Sequence, residues 1–116
     1  VDLKHLEENV CDFMNRFKNK LLANMSNADM KMDDLSAEMK LSKVQLYRKV
    51  KAMTGKAPVE LLKEMRLQRA YTLLMQTDKT VAEVSAEVGF ALPGYFSSCF
   101  KKQYGVLPTD LRHKPV

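Results

Sequence analysis

A chain of 116 residues is one domain's worth of protein or two very small ones, and its 46% apolar content is enough for a core. No apolar run approaches the ~18 residues of a membrane span, and the opening VDLKHLEENV is polar and acidic, unlike a secretory leader. The two cysteines, Cys11 and Cys99, form no close-spaced pattern, which points to free thiols in reducing, cytoplasmic surroundings. The net charge of +5 is unevenly placed: residues 1–40 hold 6 basic and 8 acidic side chains, and residues 43–69 hold 8 basic and 2 acidic ones. Such a local excess suits a polyanionic partner better than a uniform basic coat does.

Helical periodicity without strand alternation predicts an all-α fold of seven helices, punctuated by Gly55, Gly89, Gly94 and Gly105 and by Pro58, Pro93, Pro108 and Pro115. Residues 1–11 read as a linker. The first helix is expected from Asp12, a plausible N-cap, to Met25, with a stripe of Phe13, Phe17, Leu21 and Leu22. The second spans about 33–39. The third starts after Ser42, fixed by the Ser42/Gln45 capping box, and stops at Gly55. The fourth is long, about 58–76, with Pro58 in its first turn, where proline is tolerated. The fifth covers about 81–88 behind Thr80, the sixth about 92–104 before Gly105, and a short seventh starts at Pro108, with 113–116 as a tail.

LSAEMKLSKVQLYRKVKAMTG, residues 35–55, is echoed by VSAEVGFALPGYFSSCFKKQYG, residues 84–105. Ser36-Ala37-Glu38 aligns with Ser85-Ala86-Glu87, Leu46 with Phe96, Val50 with Phe100, Lys51 with Lys101, Gly55 with Gly105 and Pro58 with Pro108, the second copy carrying one extra residue in its turn. Short helix, tight turn and second helix ended by glycine make a helix-turn-helix, and two copies are too few for a solenoid. Ser36 and Ser85 are small where the two helices must cross closely. Gly89 supplies the left-handed backbone of the turn, where the first copy has Lys40 and should be slightly strained.

Helix phase, advancing about 100° per residue, puts Leu46, Val50 and Met53 on one face of the third helix and Val44, Arg48 and Lys51 on the other, with Tyr47 on the flank. A helix that buries Leu and Val and presents Arg, Lys and Tyr can lie in a major groove. The sixth helix buries Phe96 and Phe100 and presents Pro93, Gly94, Ser97, Ser98 and Lys101, whose short side chains carry little base information. Cys99 falls on the buried side as a small core residue. The candidates for phosphate contact are Ser42, Lys43, Lys51, Arg66, Arg69, Lys101 and Lys102. His5 and His113 stand at opposite ends, and no carboxylate pair, Cys/His set or glycine-rich phosphate loop appears, so no catalysis, metal or cofactor is expected. The competing reading is a helical protein–protein interaction module, with the Met-rich NMSNADMKMDD as its surface; alternatively Met25, Met30 and Met32 pack the first helix onto the second.

The sequence resembles the DNA-binding domain of AraC/XylS-type bacterial transcription regulators over roughly residues 12–112. The resemblance is carried by VAEVSAEVGFALPGYFSSCFKKQYGVLPTDLR (81–112), RLQRAYTLL (66–74) and LYRKVKAMTGKAPVELL (46–62). LYRKVKAMTG looks closest to the output domains of hybrid two-component regulators. The resemblance implies a first helix-turn-helix subdomain over 12–56, a linker helix over 57–77 and a second subdomain over 78–112, with 1–11 leading from upstream sensor and receiver domains. It implies sequence-specific binding of double-stranded DNA in successive major-groove segments, activation through RNA polymerase, a cytoplasmic location and no membrane contact. Carried over by motif, Val44, Tyr47 and Arg48 fall on the base-reading positions of the first unit, and Pro93, Gly94, Ser97 and Ser98 on those of the second. The chain departs from the family pattern at Ser98, where an arginine is frequent, at Gly94, where a longer polar residue is, and at Ala91, in place of a capping Ser, Asp or Asn. A linker helix of 19 residues, about 28 Å at a rise of ~1.5 Å, comes near the ~34 Å of one DNA turn.

Overall fold

The computed structural model describes residues 3–113, and side chains from 11 to 111. These residues form seven helices and no strand: α1 (Leu3–Asn24), α2 (Met32–Glu38), α3 (Lys43–Thr54), α4 (Pro58–Gln76), α5 (Val81–Glu87), α6 (Pro93–Tyr104) and α7 (Pro108–His113). They fall into two compact units. One holds the chain up to Asn24 together with Met30–Pro58; the other holds Met25–Asp29 together with the chain from Val59 onward.

The first unit is built on α1. Phe13, Phe17 and Leu21 recur every four residues and are buried, with the two phenyl rings stacked at 6.3 Å. Leu22, expected in that stripe, is instead 55% exposed, because one residue beyond Leu21 lies about 100° around the helix. The start of α1 also departs from expectation. It begins at Leu3, so Asp12 sits inside the helix and caps nothing, and of the proposed linker only residues 1–2 lie outside the described residues. Leu35 of α2, Met39 just past it, and Leu46 and Val50 of α3 are buried as well.

In the second unit Leu67, Ala70, Leu73 and Leu74 of α4 form one core with Val84, Val88, Phe90, Phe96, Cys99 and Phe100. The helix expected to act as a connector over 57–77 is therefore also a wall of this unit. Aromatic rings run through it, with Phe100 4.8 Å from Tyr104 and 5.8 Å from Phe96. At the end, His113 closes α7 and 114–116 lie outside the described residues.

The repeat is visible in the backbone. In the first turn the Leu41 N–H donates to Ser36 O at 2.9 Å and the Lys40 N–H to Ala37 O at 3.0 Å; in the second, Phe90 donates to Ser85 O at 2.9 Å and Gly89 to Ala86 O at 3.1 Å. This pair of bonds satisfies the last carbonyls of α2 and α5 and needs a left-handed residue just past each helix. Lys40 (φ 59°) and Gly89 (φ 96°) fill that position. Ser36 and Ser85 are both buried, as the close crossing of each helix pair requires. Gly55 and Gly105 end α3 and α6 with φ of 78° and 79°.

Candidate nucleic-acid interface

In α3 the capping box sets the phase. Ser42 Oγ accepts from the Gln45 N–H at 3.1 Å, and Gln45 Oε1 accepts from the Ser42 N–H at 3.0 Å. With Leu46 and Val50 buried, the opposite side carries Val44 (57% exposed), Tyr47 (47% exposed), Arg48 and Lys51 in the open. Lys51 Nζ stands 5.8 Å from the centre of the Tyr47 ring, within cation–π range. Two turns thus present an apolar contact, an aromatic ring with a hydroxyl, a guanidinium and an ammonium in one row.

The expected phosphate contacts of this unit are accessible. Ser42 uses a lone pair in the cap and keeps its proton for a phosphate. Lys43 is paired with Asp33 at 3.1 Å, but both side chains are more than half exposed, and such a pair is worth less than about 1 kcal/mol and is readily exchanged. Lys49 points elsewhere, over the Phe13 ring at 4.7 Å, and joins no outward row.

In α6, Pro93, Gly94 and Ser98 are exposed and Ser97 is half-buried, with Lys101 and Lys102 exposed a turn later. Phe96 and Phe100 are fully buried, so the phase matches that of α3. The N-cap is Leu92, not Ala91; Leu92 offers no side-chain cap, and Pro93 occupies the first helical position. Leu92 is 68% exposed and Tyr95 55% exposed, two large side chains beside the expected readers that helix phase alone did not single out. The alignment of the two copies contains the signal, because Leu92 and Tyr95 occupy the positions of Ser42 and Gln45 and so replace a capping box. Tyr95 leans on Phe90 with ring centres 5.9 Å apart, and a hydrogen bond to Cys99 holds its phenol above the ordinary value. Cys99 is buried in the core.

One expected phosphate contact, Arg66, has part of its guanidinium engaged within the protein. Arg66 Nε donates to Met25 O at 2.7 Å and Nη2 donates to Asn27 O at 2.8 Å, and the half-buried guanidinium is held below its usual pKa by desolvation. These bonds tie Met25–Asp29 to α4 beside Gly89, whose α-carbon has no room for a side chain: a Cβ there would lie 2.2 Å from Met25 O and 2.9 Å from Arg66 Nε. Arg66 is a structural residue of the second unit. Met25, expected to join α1 to α2, belongs to that unit as well. Arg69, one turn on, is exposed and remains a candidate for phosphate.

The family model of a helix-turn-helix domain matches residues 35–114, which span both helix pairs. The chain belongs to the AraC-type helix-turn-helix family. The matched segment is the helix-turn-helix domain that this family of transcription regulators carries. Among solved structures, the AraC-type chain resembles the C-terminal domain of AraT, a response regulator from Geobacillus stearothermophilus, with a TM-score of 0.84 and 28% identity over 90% of this chain and 86% of that one. It is 32% identical over 91 residues to the HTH-type transcriptional activator RhaS of Mannheimia succiniciproducens, covering 78% of this chain and 34% of that protein. It is 35% identical over 91 residues to histidine kinase P4 of Formosa agariphila, covering 78% of this chain and 7% of that protein. The AraC-type chain thus spans only a minor part of these curated relatives. Among the described residues no helix is long and apolar enough to cross a membrane.

Proposed function

We propose that this chain is the output domain of a longer two-component bacterial regulator that activates transcription from the cytoplasm. In this reading α3 and α6 enter successive major-groove segments of double-stranded DNA, upstream sensor and receiver domains control the chain, and RNA polymerase is its protein partner. The observation that carries the reading is the row of Val44, Tyr47, Arg48 and Lys51 opposite the buried Leu46 and Val50. Arg48 is the base reader, since a guanidinium bonds guanine O6 and N7 together. Val44 and Tyr47 meet thymine methyls or sugars. Pro93, Gly94, Ser97 and Ser98 meet base edges in the second segment. Ser42, Lys43, Lys51, Arg69, Lys101 and Lys102 hold phosphates, which fixes register without reading sequence.

Fluorescence anisotropy over a salt series tests the reading. Affinity for a selected site should fall linearly on a log–log plot against salt, and stay well above that for random duplex. Arg48→Ala should cost about 1–3 kcal/mol and erase base preference at one half-site, while Lys51→Ala weakens all sequences alike. A flat salt response would mark a protein–protein module instead. Identical behaviour of the two variants across a base-substitution panel would remove Arg48 from the readers.

A further inference from the structure

We propose that Ser98 reads the second DNA segment as a hydrogen-bond acceptor, selecting a base pair that presents an exocyclic amino group, adenine N6 or cytosine N4, at its position. The inference rests on the reading that α6 enters a major groove. Ser98 Oγ lies 3.1 Å from the carbonyl oxygen of Gly94, one turn back along α6. A carbonyl cannot donate, so the proton in that bond is the serine's own, and what Oγ turns outward is its lone pairs. Guanine O6 and N7, thymine O4, adenine N7 and every phosphate oxygen are acceptors, and gain nothing from a second acceptor. The only donors on the major-groove edges are adenine N6 and cytosine N4. Donating to a backbone carbonyl also polarises the hydroxyl oxygen and makes it the better acceptor.

A side chain this short works only if the helix comes close. Gly94 is the residue that lets it. It has ordinary helical backbone, and a Cβ built on it would meet nothing within 4 Å, so neither backbone conformation nor packing requires glycine there. The space left open beside Ser98 has no use inside the protein and fits the approach of a base edge. In α3 the same two positions are Val44 and Arg48, a bulky contact and a five-donor fork. The two helices then read opposite halves of the donor–acceptor code, guanine by donation from Arg48 and an amino base by acceptance at Ser98.

The test selects bound duplexes from a random pool with the whole chain and maps hydroxyl-radical protection of the DNA backbone on them. The half-site whose preference survives Arg48→Ala is that of α6. Within it, each adenine is replaced in turn by the purine lacking the 6-amino group, and each cytosine by the pyrimidinone lacking the 4-amino group. One position should lose about tenfold in affinity on removal of the amino group. Ser98→Ala should abolish that difference at that position and at no other, and Ser98→Arg should move the preference there to guanine. Ser98 is exposed, and circular dichroism checks that both variants keep their fold. A protected half-site in which amino removal costs nothing, or costs the same in Ser98→Ala, overturns the inference and leaves α6 in the groove. Absence of any second protected half-site overturns both.

Discussion

The turn after α2 and the turn after α5 use the same two backbone hydrogen bonds, yet one holds lysine at its left-handed position and the other holds glycine. The difference lies in what surrounds them. Lys40 is exposed, and the turn asks of it only an unusual φ. Gly89 meets that demand and a second one, because Met25 O and the Arg66 guanidinium occupy the space a Cβ would need. A repeat can therefore conserve a hydrogen-bond scheme while the reasons for the residue at one position differ between copies. Left-handed φ on a lysine costs about 1 kcal/mol, which a fold can absorb; a Cβ driven into a carbonyl oxygen cannot be absorbed without moving backbone.

The largest expected effect follows. Gly89→Ala should lower stability by about 3 kcal/mol or more, since it adds a backbone clash to a left-handed alanine. Lys40→Ala should stay within about 0.5 kcal/mol of the unaltered chain, because both residues pay the same backbone cost. Urea unfolding followed by circular dichroism measures both. A loss of only about 1 kcal/mol in Gly89→Ala would mean that the neighbourhood of Gly89 yields freely and that only φ matters there.

Arg66 comes next. Replacing it with Met keeps the aliphatic stem and removes the donors to Met25 O and Asn27 O. The expected loss is about 2 kcal/mol of stability, the scale for bonds to a charged donor. DNA binding supplies the readout that separates the two roles. A phosphate contact would take close to one unit off the salt slope, as Arg69→Met should. Arg66→Met should instead leave the slope unchanged at temperatures well below unfolding. A reduced slope with normal stability would restore Arg66 to the phosphate set.

Arg66 also shows where sequence reading stops. The capping box of α3, the glycine stops and the buried phase of Leu46, Val50, Phe96 and Phe100 depend on neighbours within a turn or two, and the structure places them as the pattern predicts. The partners of Arg66 are 39 and 41 residues away, and backbone carbonyls leave no trace in composition. A basic residue beside a helix-turn-helix then looks like a phosphate ligand. Asp12 misled for a related reason: an aspartate favours a cap but does not create one, and α1 runs through it. The cap of α6 was within reach, because Pro93 at the first helical position puts the N-cap at Leu92. What no local pattern states is that Leu92 and Tyr95 stay exposed.

The missing cap gives a smaller effect of opposite sign. Leu92→Ser installs in α6 the residue that opens α3, and should raise stability by about 1 kcal/mol, as Ser42→Ala should lower it. Thermal unfolding of the two variants checks the pair. If Leu92→Ser gains nothing while Ser42→Ala loses about 1 kcal/mol, Leu92 is contributing packing that its exposure conceals. Lys40→Gly is expected to gain less, because relief of the left-handed lysine is partly offset by the entropy glycine adds to the unfolded chain.

The smallest effect comes from the paired serines. Ser36 Oγ donates to Asp33 O at 2.9 Å, whereas Ser85 Oγ is buried with no hydrogen-bond partner. Both positions need a small side chain, because the helices of each pair cross there, and alanine is small enough for either. Ser36→Ala removes a hydrogen bond worth about 1 kcal/mol and leaves the Asp33 carbonyl short of it. Ser85→Ala removes a hydroxyl that is shielded from water and bonded to nothing, so the change should be neutral or stabilising by up to about 1 kcal/mol. The second serine is then retained for its size, and a hydroxyl is incidental to it. Chemical denaturation of the two alanine variants, each set against the matching valine variant, decides the point. Valine should be destabilising at both positions, by about 1–3 kcal/mol for overpacking. A loss of 1 kcal/mol or more in Ser85→Ala would show that its hydroxyl is bonded in solution, and would make the two crossings chemically equivalent.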